Sequence, residues 1–316
     1  MNVVVTGSIA FDYIMSFPGR FREHFLPDQL DNISLSFLVD SMKKQRGGCA
    51  ANIAYNLALL GERPLLMATA GQDFGEYRKW LDQHGVDTSV MREYPDEFTS
   101  SFFVSTDLDQ SQIASFYIGA MGRAGELSCK QLMLKPDLVI ISPNDPGAMT
   151  QYVHECKELG LRYIYDPSQQ IVRLSDDDLR AGIDGSTITI TNDYEFEMLR
   201  SRLHMDEVAF LKCAQVLIIT RGPDGSTILT RERRYDIPAV LTARPIDPTG
   251  VGDAYRAGLI RGMALGLPWD TVGRVAALAA TYVLENHGPQ NHQYTREEFV
   301  QRYRTHFGNG GLEGLP

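Results

Sequence analysis

PDLVIISP (136–143), AMTQYVHECKELG (148–160) and RYIYDP (162–167) follow one another with little intervening chain. The first and third are short and apolar on both faces, the pattern of strands covered on two sides. The second places apolar residues at helical spacing and ends in glycine, a helix stop signal. A strand, a helix and a strand joined this closely form a βαβ unit, and such units build parallel sheets. The alternation continues outward. NVVVTG (2–7), LLMATAG (65–71), TITITND (187–193) and VLIITRG (216–222) read as strands. AANIAYNLALLG (50–61), FGEYRKWLDQHG (74–85) and GDAYRAGLIRGMALG (252–266) read as helices. The expected fold is α/β in three layers, a mostly parallel central sheet with helices on both faces and functional residues at the carboxyl ends of the strands.

Two segments break the rhythm. Residues 13–46 are too long for a strand-to-helix loop and contain the alternating stretch NISLSFLVD. Residues 98–118 read as a hairpin with a polar turn near Asp107–Gln110. Long insertions in a compact α/β domain commonly cover a site. The expected organisation is therefore a body of residues 1–12, 47–97 and 119–316 with a β lid of residues 13–46 and 98–118; plain edge strands are the alternative.

Composition excludes several classes. The chain has 316 residues with 30 Lys+Arg against 40 Asp+Glu, a net charge of −10, and shows no basic stripe, so nucleic acid is not an expected partner. Its four cysteines are scattered without C-x-x-C spacing, which reads as reduced thiols. MNVVVTGSIAFDYI lacks the features of a signal peptide, and no apolar run has the roughly 18 residues a bilayer requires. A cytoplasmic protein is expected. H-E-x-x-H and G-x-S-x-G are absent, as is any Gly-Lys pair for a classical phosphate loop. His154-Glu155 reads as a pair of solvated helix residues.

DPTGVGDAYRAG (247–258) carries the chemistry. Gly250 and Gly252 permit close backbone approach where a helix begins, so unpaired amides and the positive dipole end converge on one spot. That is an anion hole. Asp253 lies in the first turn, where a carboxylate can take a proton from a hydroxyl beside a transferring phosphoryl group. On spacing alone, a glycine turn with an acid complementing the dipole explains the stretch equally well.

DPTGVGDAYRAG resembles the carboxyl-terminal signature D-T-x-G-A-G-D of the ribokinase-like carbohydrate kinases, and RGGCAANIAYNLALLG (46–61) resembles their amino-terminal signature. TNDYE (191–195) resembles their N-x-x-E element and TRGPDG (220–225) their T-x-G-x-x-G strand end. The four elements stand in the family's order. Within it, TGSIAFDYIMSFPGRF, SLSFLVD, QIASFY and DPSQQ are similar to bacterial adenosine kinases of the actinobacterial type. Pro248 departs from the general signature but fits that subset, and Val251 replaces the usual Ala.

The resemblance implies a kinase using ATP and Mg²⁺. Asp253 is then the base, with the amides of Gly250, Val251 and Gly252 as anion hole. Asn192 and Glu195 organise Mg²⁺ through water, and Thr220, Gly222 and Gly225 form the nucleotide-binding turn. Asp12 grips the ribose hydroxyls, with Gly47, Gly48 and Asn52 beside it. Ser8, Ser36, Phe102, Phe116, Gln169 and Gln170 match base-contacting positions. Asp247 and the carbonyl of Thr249, with the loop 284–290, match a K⁺ site. Each has a plainer reading: Asn192 and Glu195 as a helix cap, Asp12 as a cap, the two Phe as packing, and Asp247 as a turn acid. The implied reaction is transfer of phosphate from ATP to the 5′-hydroxyl of adenosine. The alternatives are a broad nucleoside kinase taking inosine or guanosine, a sugar kinase, and a silent nucleoside-binding protein. Lid edges suggest a homodimer.

Overall fold

The structure, a computed structural model, describes residues 1–25, 34–308 and 310. The chain begins with β1 (Val3–Thr6), β2 (Ala10–Ser16), β3 (Ser41–Gly47), α1 (Cys49–Leu59), β4 (Leu65–Met67), β5 (Thr69–Gly71), α2 (Gly75–Gln83) and β6 (Arg92–Tyr94). It continues with β7 (Ser100–Thr106), β8 (Gln112–Tyr117), β9 (Leu138–Ile141), α3 (Pro146–Glu158), β10 (Tyr163–Tyr165), α4 (Asp176–Ile183), β11 (Ile188–Asn192) and α5 (Asp193–Leu203). It ends with α6 (Glu207–Cys213), β12 (Val216–Thr220), β13 (Ser226–Thr230), β14 (Arg234–Ile237), α7 (Val251–Ala264), α8 (Trp269–Leu284) and α9 (Arg296–Phe307).

The main sheet runs β14-β13-β12-β11-β10-β9-β1-β4. Its strands from β4 to β12 pair in parallel, and β13 and β14 add an antiparallel edge. Successive strand residues feed opposite cores, as the pleat requires. Val3, Val5, Leu138, Ile140 and Ile164 join one cluster with Ile53 of α1, Leu259 of α7 and Val275 of α8. Val4, Val139, Ile141, Tyr163 and Tyr165 join the other with Tyr152 of α3, Leu179 of α4 and Leu199 of α5. Burial on both faces is why these strands read as continuous apolar runs.

A second sheet, β3-β2-β7-β8, forms the lid. β2 pairs antiparallel with β3 and parallel with β7, and β7 antiparallel with β8. The hairpin turn falls where expected: Gln110 takes φ +63°, and Asp107 Oδ1 accepts the amides of Asp109 (2.9 Å) and Ser111 (2.8 Å). The first lid segment differs from its expectation. Residues 34–39 have no regular structure, and Asn32 and Ile33 lie outside the described residues. The strand is SMKKQRG instead, paired along its length from Ser41↔Ser16 to Gly47↔Ala10. Most of its side chains are exposed, so backbone pairing makes this strand without apolar alternation.

LLMATAG splits into β4 of the main sheet and β5, which pairs with β6. Glu155 is buried, not solvated: it accepts from Ser128 Oγ and the Cys129 amide, both at 2.7 Å. The four cysteines are free thiols. Among the described residues no helix is long and apolar enough to cross a membrane.

Candidate active site

The start of α7 organises the site. Gly250 takes φ +80°, and a Cβ there would lie 2.4 Å from Pro289 Cβ, so only glycine fits. The amide of Val251 donates to Pro248 O at 3.3 Å and that of Ala254 to Gly250 O at 3.0 Å. Among the described residues, no protein acceptor meets the amides of Gly250, Gly252 or Asp253. The free donors are therefore these three. Val251, expected as one of them, turns inward to close the preceding turn.

Asp253 stands at the mouth of this hole. Asn52 Nδ2 of α1 donates to its Oδ2 at 2.8 Å. Burial pushes its carboxyl from the ordinary 3.8 up to about 7, against the opposing pull of the Arg256 charge and the Asn52 hydrogen bond. Its surface is only half-buried, because it opens on the cleft. Behind it, Arg256 donates to both oxygens of Asp166, and its Nη1 donates to Gly252 O at 2.9 Å. Both side chains of this pair are buried. The pair clamps the first turn of α7 to the carboxyl end of β10.

Two cavities meet at Asp253. One, of about 740 Å³, is lined by Asn192, Glu195, Thr220, Gly222 and Gly225, with an apolar wall that includes Val240, Ala277 and Leu284. The other, of about 570 Å³, is lined by Ser8, Asp12, Gly48, Asn52, Phe102, Phe116 and Gln170. Cys49, Pro143, Gln169, Gly250 and Asp253 line both. Most of the residues expected for nucleotide and for nucleoside thus fall in different chambers, with Gln169 in both.

In the smaller chamber, burial and then the nearby Asp247 charge push Asp12 up to about 6. Gly47 touches Asp12 without lining the chamber, and a Cβ there would lie 2.6 Å from Asp12 Oδ2. Phe102 and Phe116 are direct cross-strand partners in the lid. Ser8 is already engaged, its Oγ accepting the Cys49 amide at 3.0 Å. Ser36 is exposed and lines neither chamber, because its stretch forms no lid strand. Met121 and Arg173 line the smaller chamber without having been expected. Arg173 was legible only as lying one helical turn beyond Gln169-Gln170. Asp166 was visible in RYIYDP as a strand-end acid, and its role emerges only with Arg256.

Asn192 and Glu195 form a capping box: Glu195 Oε2 accepts the Asn192 amide at 2.8 Å, and Asn192 Oδ1 accepts the Glu195 amide at 2.7 Å. The helix-cap reading therefore holds, and the pair still faces the larger chamber. Glu195 Oε1 also accepts from Ser168 Oγ at 3.1 Å, and burial raises its pKa. Oxygen lone pairs remain on this carboxylate for a hard, hydrated cation, so the donor chemistry fits Mg²⁺ held through water. Among the described residues no three His, Cys, Asp or Glu side chains cluster to ligate a metal directly. Asp247 accepts the Thr249 amide through Oδ1 and the Gly288 amide through Oδ2, both at 2.9 Å. It pins the turn before the anion hole to the loop at 288, as a turn acid does.

The pfkB family carbohydrate kinase profile matches residues 3–296. The nucleoside kinase of Burkholderia thailandensis, solved in complex with inosine, is 38% identical with a TM-score of 0.87, covering 98% of this chain and 99% of that one. The same enzyme in complex with ADP-inosine is 39% identical with a TM-score of 0.85, covering 99% and 100%. The nucleoside kinase of Methanocaldococcus jannaschii is 28% identical over 310 residues, 96% of this chain and 97% of that protein. These relatives carry the broad name of nucleoside kinase, where the sequence motifs pointed to the narrower adenosine group. With four signature elements in order, a parallel sheet under a β lid and a matched span of nearly its whole length, the chain belongs to the pfkB family of carbohydrate kinases.

Proposed function

We propose that this protein transfers the terminal phosphate of ATP to the 5′-hydroxyl of nucleosides, with a breadth that includes inosine and guanosine as well as adenosine. The observation that carries this reading is the placement of Asp253 in the wall common to both chambers. The relative solved with inosine and with ADP-inosine supports the broad reading over the adenosine-only one.

In this reading the ribose lies against Asp12, whose two oxygens accept from two hydroxyls, and the base lies between the lid aromatics and Gln170. Asp253 takes the proton of the acceptor hydroxyl as the oxygen attacks phosphorus in line. The amides of Gly250, Gly252 and Asp253 stabilise charge on the transferring phosphoryl group. Closure of the lid excludes water from the reacting groups. Mg²⁺, held by Glu195 through water, would neutralise phosphate charge. K⁺ at Asp247 and the Thr249 carbonyl is the accompanying proposal, and exchange of K⁺ for Li⁺ tests it by a fall in kcat. The exposed Ile113, Phe116 and Tyr117 of β8 support a homodimer through the lid, which light scattering tests.

ADP release measured side by side with adenosine, inosine, guanosine and ribose tests the whole reading. Turnover with all three nucleosides and little with ribose is expected. Turnover with ribose alone would make this a sugar kinase, and nucleoside binding without ADP release would make it a binding protein.

A further inference from the structure

A chain of buried hydrogen bonds leads away from Asp253 and ends at the hinge of the lid. Asn52 Nδ2 donates to Asp253, and Gln290 Nε2 donates to Asn52 Oδ1 at 2.9 Å. The same Gln290 Nε2 donates to Tyr77 OH, and Tyr77 OH donates to Gly47 O at 2.9 Å. Gln290 and Tyr77 are each 1% exposed and Asn52 is 5% exposed. Neither Gln290 nor Tyr77 lines the chambers that meet at Asp253.

The polarity of this chain is forced from its far end. A backbone carbonyl only accepts, so the Tyr77 hydroxyl must spend its single proton on Gly47 and can only accept from Gln290. Gln290 therefore turns its amide nitrogen, not its oxygen, toward Tyr77 and Asn52. Asn52 must answer with its oxygen, which leaves its nitrogen facing Asp253. An asparagine beside a carboxylate is useful only in that orientation. Flipped, it would set a carbonyl oxygen against a buried anion. Gln290 Oε1 has no partner among the described residues, so the orientation of this amide is held from the Asn52 and Tyr77 side alone.

We propose that Gln290 and Tyr77 are positioning residues for phosphoryl transfer, holding Asn52 in the one amide orientation that supports the ionised, correctly aimed Asp253. The chain ends at Gly47, the last residue of β3, whose neighbour in space is Asp12. It thereby joins Asp253 to the root of the lid by hydrogen bonds, with Asp12 lying beside the last link. The inference rests on the nucleoside kinase reading for its kinetic consequence but not for its electrostatic one.

The test uses the full chain with Gln290→Met, which keeps the shape and deletes the amide, Gln290→Glu, and Tyr77→Phe. The charged or titratable groups around Asp253 are Arg256 on its own helix, Asp166 at the end of β10, Asp12 on β2, Cys49 on α1 and Tyr77 on α2. None of these is changed in the Gln290 variants. Carbon-13 titration of the Asp253 carboxyl, in protein without substrate, should move up by about one pH unit in Gln290→Met, because the Asn52 donor is no longer held in place. The acid limb of kcat/KM should move by the same amount. We expect kcat to fall roughly 10- to 100-fold with KM for ATP nearly unchanged. Gln290→Glu should be the most damaging, since an acceptor there draws the Asn52 nitrogen away from Asp253. Tyr77→Phe should be intermediate. Melting temperatures identify any variant that fails to fold. Folded Gln290 variants with an unmoved Asp253 titration would overturn the inference, even if activity fell. A wild type that turns over no nucleoside would instead remove the functional reading and leave the carboxyl titration as the deciding measurement.

Discussion

Asp253→Asn should make the protein inactive and more stable, with the second effect depending on pH. Its carboxyl rises from 3.8 to about 7 on folding, so the native state disfavours the ionised form. A shift of about 3 units corresponds to roughly 4 kcal/mol. Because the group touches cleft water, we take about half, ~2 kcal/mol, as the cost of the charge in the native protein. The sign follows from linkage. A carboxyl with a raised native pKa contributes its full stability below 3.8 and loses it as pH rises through about 7. The wild type therefore bears the whole cost at pH 8, whereas asparagine is neutral throughout and can still accept from Asn52. We expect Asp253→Asn to gain ~2 kcal/mol at pH 8 and under about 1 kcal/mol at pH 5. In a melting scan this is an upward shift of about 4 °C at pH 8. Turnover should fall about 10²- to 10⁴-fold while nucleoside binding persists. Calorimetry at both pH values and a coupled ADP assay measure the two effects. An equal gain at pH 5 and pH 8, or no gain, would show that the carboxylate is not desolvated; wild-type turnover would show that it is not the base.

Asp12→Asn should raise KM for nucleoside far more than KM for ATP, and in the wild type KM for nucleoside should climb as pH falls below about 6, where Asp12 protonates; initial rates across pH check both. Gly250→Ala forces a Cβ onto Pro289 at positive φ and should cost about 1–3 kcal/mol in a denaturant titration, with loss of turnover from the distorted anion hole. Arg256→Met strands Asp166 as a buried unpaired charge and should cost about 3–5 kcal/mol. Adding Asp166→Asn to that variant should recover much of the loss, which a double-mutant cycle quantifies.

The parallel sheet was legible because strands buried on both faces leave continuous apolar runs, as in Leu138–Ile141 and all but the last residue of Val216–Thr220. The helices around them were legible from apolar spacing and terminal glycines. β3 was not, since Ser41–Gly47 is held by pairing with β2 while most of its side chains face solvent. At the site, the glycine turn and Asp253 could be read from local chemistry, because a helix start determines where its own amides point. Which amides stay free could not, since that depends on how Val251 bonds back to Pro248. The Asp166–Arg256 clamp and the Gln290 chain join residues far apart in sequence, and only the folded backbone brings their polar atoms within reach.

The lid is made of two excursions of the chain, one leaving after β1 and returning at α1, the other leaving after β6 and returning before β9. Asp12, Gly47, Phe102 and Phe116 all travel on these excursions, whereas Glu195, Thr220 and Gly250 sit at the rim of the rigid sheet or its helices. In the proposed function, acceptor choice and donor handling are therefore written into different parts of the molecule. On that function, a lineage, or an engineer, can redraw the two excursions to admit another alcohol while the phosphate-handling floor is inherited intact, with the body residues that also line the smaller chamber, such as Ser8, Asn52, Gln170 and Arg173, following.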